Sequence, residues 1–307
     1  MGDPARTGTP SYGAVNGWPT ELAPIVGAPL AIGLACVYGL PVHAMLSFAV
    51  IGLATGLGVT IGLHRLFTHR SFTTFRFIEW TLMMLGCMAG QSSPFFWIAT
   101  HRAHHQYSDR DGDPHSPYIW GGRRLGLLRG FWHAHFGWLH TYGYDYPAAL
   151  VKDLTRRHDL AWLDRQWFPL YFLGLVLPAA VGGLVGGTAY DALMGLLWGG
   201  LLRHCVALQT TFAVNSVAHI WGSRPYDTSD QSRNNLLIGV LAFGEGWHNN
   251  HHAFPYSARH GLRWWQPDIT WCVIWLMERV GLAWRVKRPV FASTPPLLSS
   301  TPEHTAA

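Results

Sequence analysis

Charge is what this sequence has least of. Asp, Glu, Lys and Arg make up 13% of its 307 residues, about half the usual fraction for a soluble domain. With 49% hydrophobic residues, that scarcity excludes a disordered chain, an ordinary soluble domain and a nucleic-acid-binding tail, so no nucleic-acid partner is expected. Cysteine is scarce as well. Cys36, Cys87, Cys205 and Cys272 stand alone without a CxxC pair, which excludes a disulfide framework. The N-terminus lacks a charged region ahead of an apolar core, so residues 1–21 read as a flexible leader and not a cleaved signal. Residues 293–307, rich in Pro, Ser and Thr, read as a disordered tail.

Long apolar runs are what the sequence has instead. A helix needs roughly 20 apolar residues to cross a hydrocarbon core of about 30 Å. Residues 22–40 and 44–63 reach that length and form one tight hairpin; residues 168–187 and 189–217 form another. A fifth run, 77–99, carries Glu79, Gln91 and Pro94. A sixth, 264–284, is broken by Pro267, Asp268, Glu278 and Arg279. The connections at 41–43 and 186–191 contain no Lys or Arg, whereas 12 of the 22 basic residues lie in 65–165 and eight in 224–288. Basic loops stay on the cytoplasmic side. Both basic segments share that side only if 77–99 does not cross, so this run reads as a buried or interfacial helix. Residues 264–284, with Trp264, Trp265, Trp271, Trp275 and Trp284, suit an amphipathic helix at the membrane surface. The expected fold is all-α, with 22–292 as the membrane domain. It is a polytopic membrane protein with four transmembrane helices, a helical cytosolic cap and both termini cytoplasmic. Arg203 lies inside the fourth run, where a charge serves either helix packing or a pocket.

Histidine supplies the chemistry. Of 18 histidines, eight fall in three boxes: His64 and His69; His101, His104 and His105; His248, His251 and His252. Helical positions i, i+3 and i+4 share a face, so each HxxHH is expected to aim three imidazoles at one point. Eight imidazoles exceed what one metal takes. Structural zinc closes with four ligands, usually including thiolates, and the paired Glu-x-x-His motifs of carboxylate di-iron bundles are missing. Nitrogen-rich ligation with open positions suits two irons that bind dioxygen. Asp111, Asp113, Asp227 and Glu245 are candidate acceptors for the second ring N–H of a ligand. His115, His133, His135, His140 and His204 lack ligand spacing and read as structural, with His135 best placed for a pocket role.

The boxes are accompanied by Asp111-Gly-Asp-Pro-His115, Gly137-Trp138, Asn215-Ser-Val-Ala-His219, Arg224-Pro-Tyr-Asp227 and Gly244-Glu-Gly-Trp247. With these, residues 44–265 resemble the integral-membrane fatty acyl desaturases, specifically the Δ9 acyl-CoA (stearoyl-CoA-like) branch of bacterial type. The resemblance implies a four-helix membrane bundle with a cytosolic cap. It implies two non-heme irons held by His64, His69, His101, His104, His105, His219, His248, His251 and His252, with Asn215 holding a metal-bound water. Trp97 and Thr211 match tunnel positions, and Phe212 stands where animal-type relatives carry Trp. Phe48 and Gly52 would set the blind end, whereas Gly56 reads better as a helix-packing residue.

The implied reaction uses O2 and two external electrons to place a cis double bond in a long acyl chain. No His-Pro-Gly-Gly motif of a fused cytochrome b5 occurs. A separate ferredoxin, rubredoxin or cytochrome b5, with its reductase, is therefore the expected donor. Arg123, Arg124, Arg129, Arg156 and Arg157 suit the phosphates of acyl-CoA or membrane-lipid head groups, with acyl carrier protein and glycerolipid as other carriers. The competing readings are a related membrane di-iron hydroxylase or decarboxylase and, further off, a metal or heme transporter, whose ligands belong at mid-membrane.

Overall fold

The computed structural model describes residues 18–141 and 148–291. The expected leader up to residue 17 and the tail 293–307 lie outside them. In chain order the main helices are α1 (Trp18–Tyr38), α2 (Val42–Thr68), α3 (Arg76–Met88), α4 (Pro94–Tyr107), α5 (127–141), α6 (His158–Arg165), α7 (Trp167–Gly186), α8 (Ala189–Ile220), α9 (Leu236–Leu241), α10 (His248–Ala253) and α11 (Ile269–Arg279). Strand structure among the described residues is confined to two short antiparallel pairings, Thr73–Thr74 with Ala283–Trp284 and Ile119–Trp120 with Arg123–Arg124. Four helices, α1, α2, α7 and α8, are long and apolar enough to cross a membrane. They overlap the expected runs, but α1 begins at Trp18 inside the expected leader, α2 continues to Thr68 and α8 to Ile220.

The other two apolar runs are shorter than read from hydropathy. Residues 77–99 split into α3 and α4, of 13 and 14 residues, each below the roughly 20 needed to span. Gly90 takes φ +77 at the break. Ser93 then starts α4, its hydroxyl accepting the Phe96 N–H ahead of Pro94. In the last run the helix covers only Ile269–Arg279. Asp268 caps it by accepting the Trp271 N–H, and Gly281 turns the chain at φ +76, so Trp264, Trp265 and Trp284 lie outside it.

Packing is tight in the bundle. A Cβ at Gly58 of α2 would fall 2.5 Å from the Gly86 backbone nitrogen of α3, so only glycine permits that approach. Ala31, Ala44, Met194 and Leu197 form one buried cluster joining α1, α2 and α8. A larger one, including Leu63, Leu82, Phe95, Ile98, Leu160 and Ile274, ties α2 to α3, α4, α6 and α11. Arg203 resolves as a staple: it donates to the Gly199, Met88 and Gly174 carbonyls and to the Thr55 hydroxyl, joining α8 to α2, α3 and α7. From Gly58 to Thr68 α2 widens into π-type turns, a departure frequent at functional sites.

Candidate metal centre

The boxes converge where α2 and α8 end. His64 lies in the widened part of α2 and His69 caps it. The second box is on α4, His219 closes α8, and the third box is on α10. The nine rings sort into two groups. One is His64, His69, His101, His105 and His251; the other is His104, His219, His248 and His252. Within each group one ligand atom per residue lies within 4.8 Å of all the others. Each HxxHH is therefore divided between the groups, which corrects the expectation of three rings aimed at one point. Positions i and i+4 nearly overlie one another, whereas neighbouring residues diverge by about 100° around the axis.

Carboxylates set the tautomers. His64 Nδ1 is 2.7 Å from Glu245, His104 Nδ1 3.0 Å from Asp113, His219 Nδ1 3.0 Å from Asp109 and His252 Nδ1 2.9 Å from Asp230. Each Nδ1 donates its proton to a carboxylate, so each Nε2 keeps a bare lone pair. Burial pushes the Asp113 carboxyl up to about 7. Its oxygens also accept backbone N–H groups, from Asp109 and His115. The Nε2 atoms then face one another. His248 Nε2 is 3.0 Å from His219 Nε2 and 3.1 Å from His252 Nε2; His251 Nε2 is 3.2 Å from His64 Nε2 and 2.9 Å from His105 Nε2. His69 Nε2 and His104 Nε2 are buried without a hydrogen-bond partner. Burial, and then the neighbouring rings, hold His69, His101, His104, His105, His248 and His251 well below the usual imidazole range. Protons therefore do not fill the gaps between these six rings at neutral pH. The convergent imidazoles fit a nitrogen-ligated metal ion in each group.

Only two of the four anticipated carboxylates, Asp113 and Glu245, touch a box. Asp111 instead accepts the Gly122 N–H, and Asp227 is exposed, 3.8 Å from Arg224. Asp109 and Asp230 take their places. Asp109 sits at φ +57, a backbone conformation that aims it at a ring 110 residues away, and no local pattern announces this. His260 was likewise not anticipated. Its Nδ1 is 3.1 Å from Glu245 and its ring 4.4 Å from that of His251. Burial pushes the Glu245 carboxyl up, but the Arg65 guanidinium, then His64 and His260, more than reverse it and hold it well below the usual carboxylate range. Asp230→Asn is expected to weaken metal binding about 10–100-fold in an iron titration, and Asp227→Asn to leave it within about twofold. His135 lines neither cavity described below; it bridges Ser216 and Gln209 of α8 and ties α5 to it. His204 lies between the Tyr171 hydroxyl and the Gly90 carbonyl.

A largely apolar cavity of about 340 Å³ runs from the histidines between α2 and α8. His64, His101, His248 and Asn215 border one end, and Phe48, Gly52 and Arg203 the other. A second cavity of about 60 Å³ is lined by Phe96, Trp138 and Phe212. Gln91, Trp97, His101, Thr211 and Asn215 border both. Phe212 therefore walls the small cavity and not the large one, while Trp97 and Thr211 stand at the corner. Gln91, which the sequence marked only as a polar interruption, locks that corner. Its amide oxygen accepts the Trp97 indole N–H at 3.0 Å and its NH2 donates to Thr211 at 2.8 Å. Gly56 borders the large cavity and is also a packing glycine, since a Cβ there would meet the Phe243 ring at 2.3 Å. Of the basic residues considered for a carrier, Arg123, Arg124, Arg129 and Arg156 are exposed, whereas Arg157 is paired with Glu79 and Asp159.

The fatty acid desaturase family profile matches residues 40–286. The chain is 42% identical over 273 residues to a hex-5-enoyl-[acyl-carrier protein] acetylenase of Moorena producens, covering 88% of this chain and 84% of that protein. It is 40% identical over 251 residues to an sn-1 stearoyl-lipid 9-desaturase of Anabaena variabilis, covering 78% and 85%. It is also 40% identical over 253 residues to an icosanoyl-CoA 5-desaturase of Limnanthes douglasii, covering 80% and 66%. With four apolar helices, two histidine groups and these relatives, the chain belongs to the fatty acid desaturase family and is an oxidoreductase acting on fatty acyl chains.

Proposed function

We propose that this protein is a membrane-embedded, O2-dependent desaturase. It places a cis double bond at Δ9 of a long-chain acyl-CoA, with one iron in each histidine group. The observation that carries this reading is an apolar cavity with one end walled by His64, His101 and His248, imidazoles drawn from both groups. Iron held in both groups would use O2 and two external electrons to take two hydrogens from adjacent unactivated methylenes, with water as the other product. His64, His69, His101, His105 and His251 would hold one ion, and His104, His219, His248 and His252 the other, with Asn215 holding a metal-bound water.

The chain's own residues supply position and dryness. Gln91, Trp97 and Thr211 form the corner around which an acyl chain bends, presenting adjacent methylenes to the imidazoles. Phe48 and Ala207 exclude water along the deeper wall, and Val59 does so nearer the histidines. Glu245, Asp113, Asp109 and Asp230 hold four rings with their Nε2 atoms inward. With α1, α2, α7 and α8 as the spans, the basic segments 65–165 and 224–288 lie on the cytoplasmic side. There a separate ferredoxin, rubredoxin or cytochrome b5 delivers electrons. Exposed Arg123, Arg124 and Arg129 favour the phosphates of CoA. A lipid or acyl-carrier-protein substrate is the second reading, favoured by relatives at 40% and 42% identity named for those carriers.

Expression of the full chain in a host lacking unsaturated acyl chains, followed by lipid profiling, tests the reaction. A new cis monoene is expected; a hydroxylated product without olefin would overturn the reading. Isolated membranes supplied with acyl-CoA, acyl carrier protein or acyl lipid identify the carrier.

A further inference from the structure

We infer that the methyl end of the acyl chain leaves the protein sideways into the bilayer, through a mouth between α2 and α8, so that the enzyme sets no sharp upper limit on chain length. This rests on the membrane desaturase reading above.

The large cavity meets Phe48 and Arg203 at its deep end, and along its side several lining residues are exposed. At the deep end Phe48 stands edge-on to Trp198, with ring centroids 6.2 Å apart. Beside it lies the stem of Arg203, whose guanidinium is anchored by the four contacts described above. A chain that reaches this floor cannot continue between the helices. The side wall differs. On α2 the lining residues Ala49, Leu53, Gly56 and Thr60 follow helical spacing on one face, and on α8 Val206, Thr210 and Val214 do the same. Near the histidines this wall is shut, with Val59 6% and Thr60 7% exposed. Other lining residues are exposed: Leu53 44%, Val206 42% and Leu241 of α9 49%.

The chemistry of the mouth suits hydrocarbon. Its exposed side chains are apolar, and two of them, Leu53 and Val206, belong to helices proposed to span the membrane. Its polar member, Thr210, has its hydroxyl donated to the Val206 and Ala207 carbonyls and presents no unmet donor to lipid. Gly52 and Ala49 keep the passage wide, and a Cβ at Gly52 would meet only the Arg203 stem, at 3.6 Å. The occupant is the tail of the enzyme's own substrate, because the mouth is continuous with the corner at Trp97. Methylenes beyond the floor then lie among lipid tails, an environment as apolar as the cavity itself. A closed pocket would instead reject them by overpacking.

The test uses the full chain in membranes with its electron donor, supplied with palmitoyl, stearoyl, arachidoyl and behenoyl chains on the accepted carrier. In the wild type the behenoyl-to-palmitoyl product ratio should stay within about threefold of unity. Leu53→Trp and Val206→Trp, which narrow the mouth from opposite helices, should each lower that ratio about tenfold or more. A sharp cut-off in the wild type overturns the inference whatever the variants do. So does an unmoved ratio in variants that still convert palmitoyl. Absence of olefin from every chain in the wild type would instead defeat the desaturase reading, which a length cut-off would not.

Discussion

With one iron in each histidine group, as proposed above, replacing His104 with alanine is expected to lower the iron content from two per chain toward one. It should take olefin formation below about 1% of wild type, since losing a ligand costs more than the 10–100-fold typical of losing its hydrogen-bond partner. His104 belongs to the group of four, which has no spare ring, and its Nε2 is buried without another partner. The fold should survive. Asp113 keeps the backbone N–H groups of Asp109 and His115, so removing the imidazole leaves no bare buried carboxylate. His69→Ala, in the group of five, should be milder. Elemental analysis of the purified protein alongside product quantitation checks both. Unchanged iron and turnover in the His104 variant would remove it from the metal centre.

Arg65→Met should destabilise the protein by about 3–5 kcal/mol, the range for breaking a buried ion pair from one side. Arg65 is fully buried. Its guanidinium lies 3.0 Å from Glu245 and 2.9 Å from Asp268 and donates to the Ala258 carbonyl. Asp268 in turn accepts the backbone N–H groups of His260 and Gly261 and caps α11. One side chain thus joins the end of α2 to the segment carrying α10 and α11, and its loss strands two carboxylates in a dry interior. The expected fall in melting temperature is about 10 °C for a chain of this size, read by thermal unfolding in detergent. Arg65→Lys should fall between, because an ammonium cannot span both carboxylates as the guanidinium fork does. A shift below about 1 kcal/mol for Arg65→Met would show that the network carries little of the stability.

Much of this was open to reading along the chain, because the signals were local. Four apolar runs are visible as runs, and their ends move by only a few residues in the folded protein. The boxes are visible because ligand spacing on a helix is short. Hydropathy averaging blurred the interruption at Gly90 and Ser93, although both are ordinary breaking and capping residues, so one apparent helix is two.

The pairing of groups distant in sequence was not open to such reading. Asp109 meets His219 across 110 residues, Gln91 meets Thr211 across 120, and Arg65 meets Asp268 across 203. In the Asp109–Asp113 and Asp227–Asp230 stretches, several carboxylates compete within a few residues, and backbone turns select which one faces a ring. The sequence by itself determined the apolar helices, the box histidines and hence the chemistry on offer, because composition and helical period act over a turn or two. Packing of α2, α4, α8 and α10 around one point supplied the rest: the division of each HxxHH, the oxygens that orient four of the rings, the locked corner at Gln91 and an apolar cavity between α2 and α8. These depend on which helix faces meet, and a linear pattern carries no term for that.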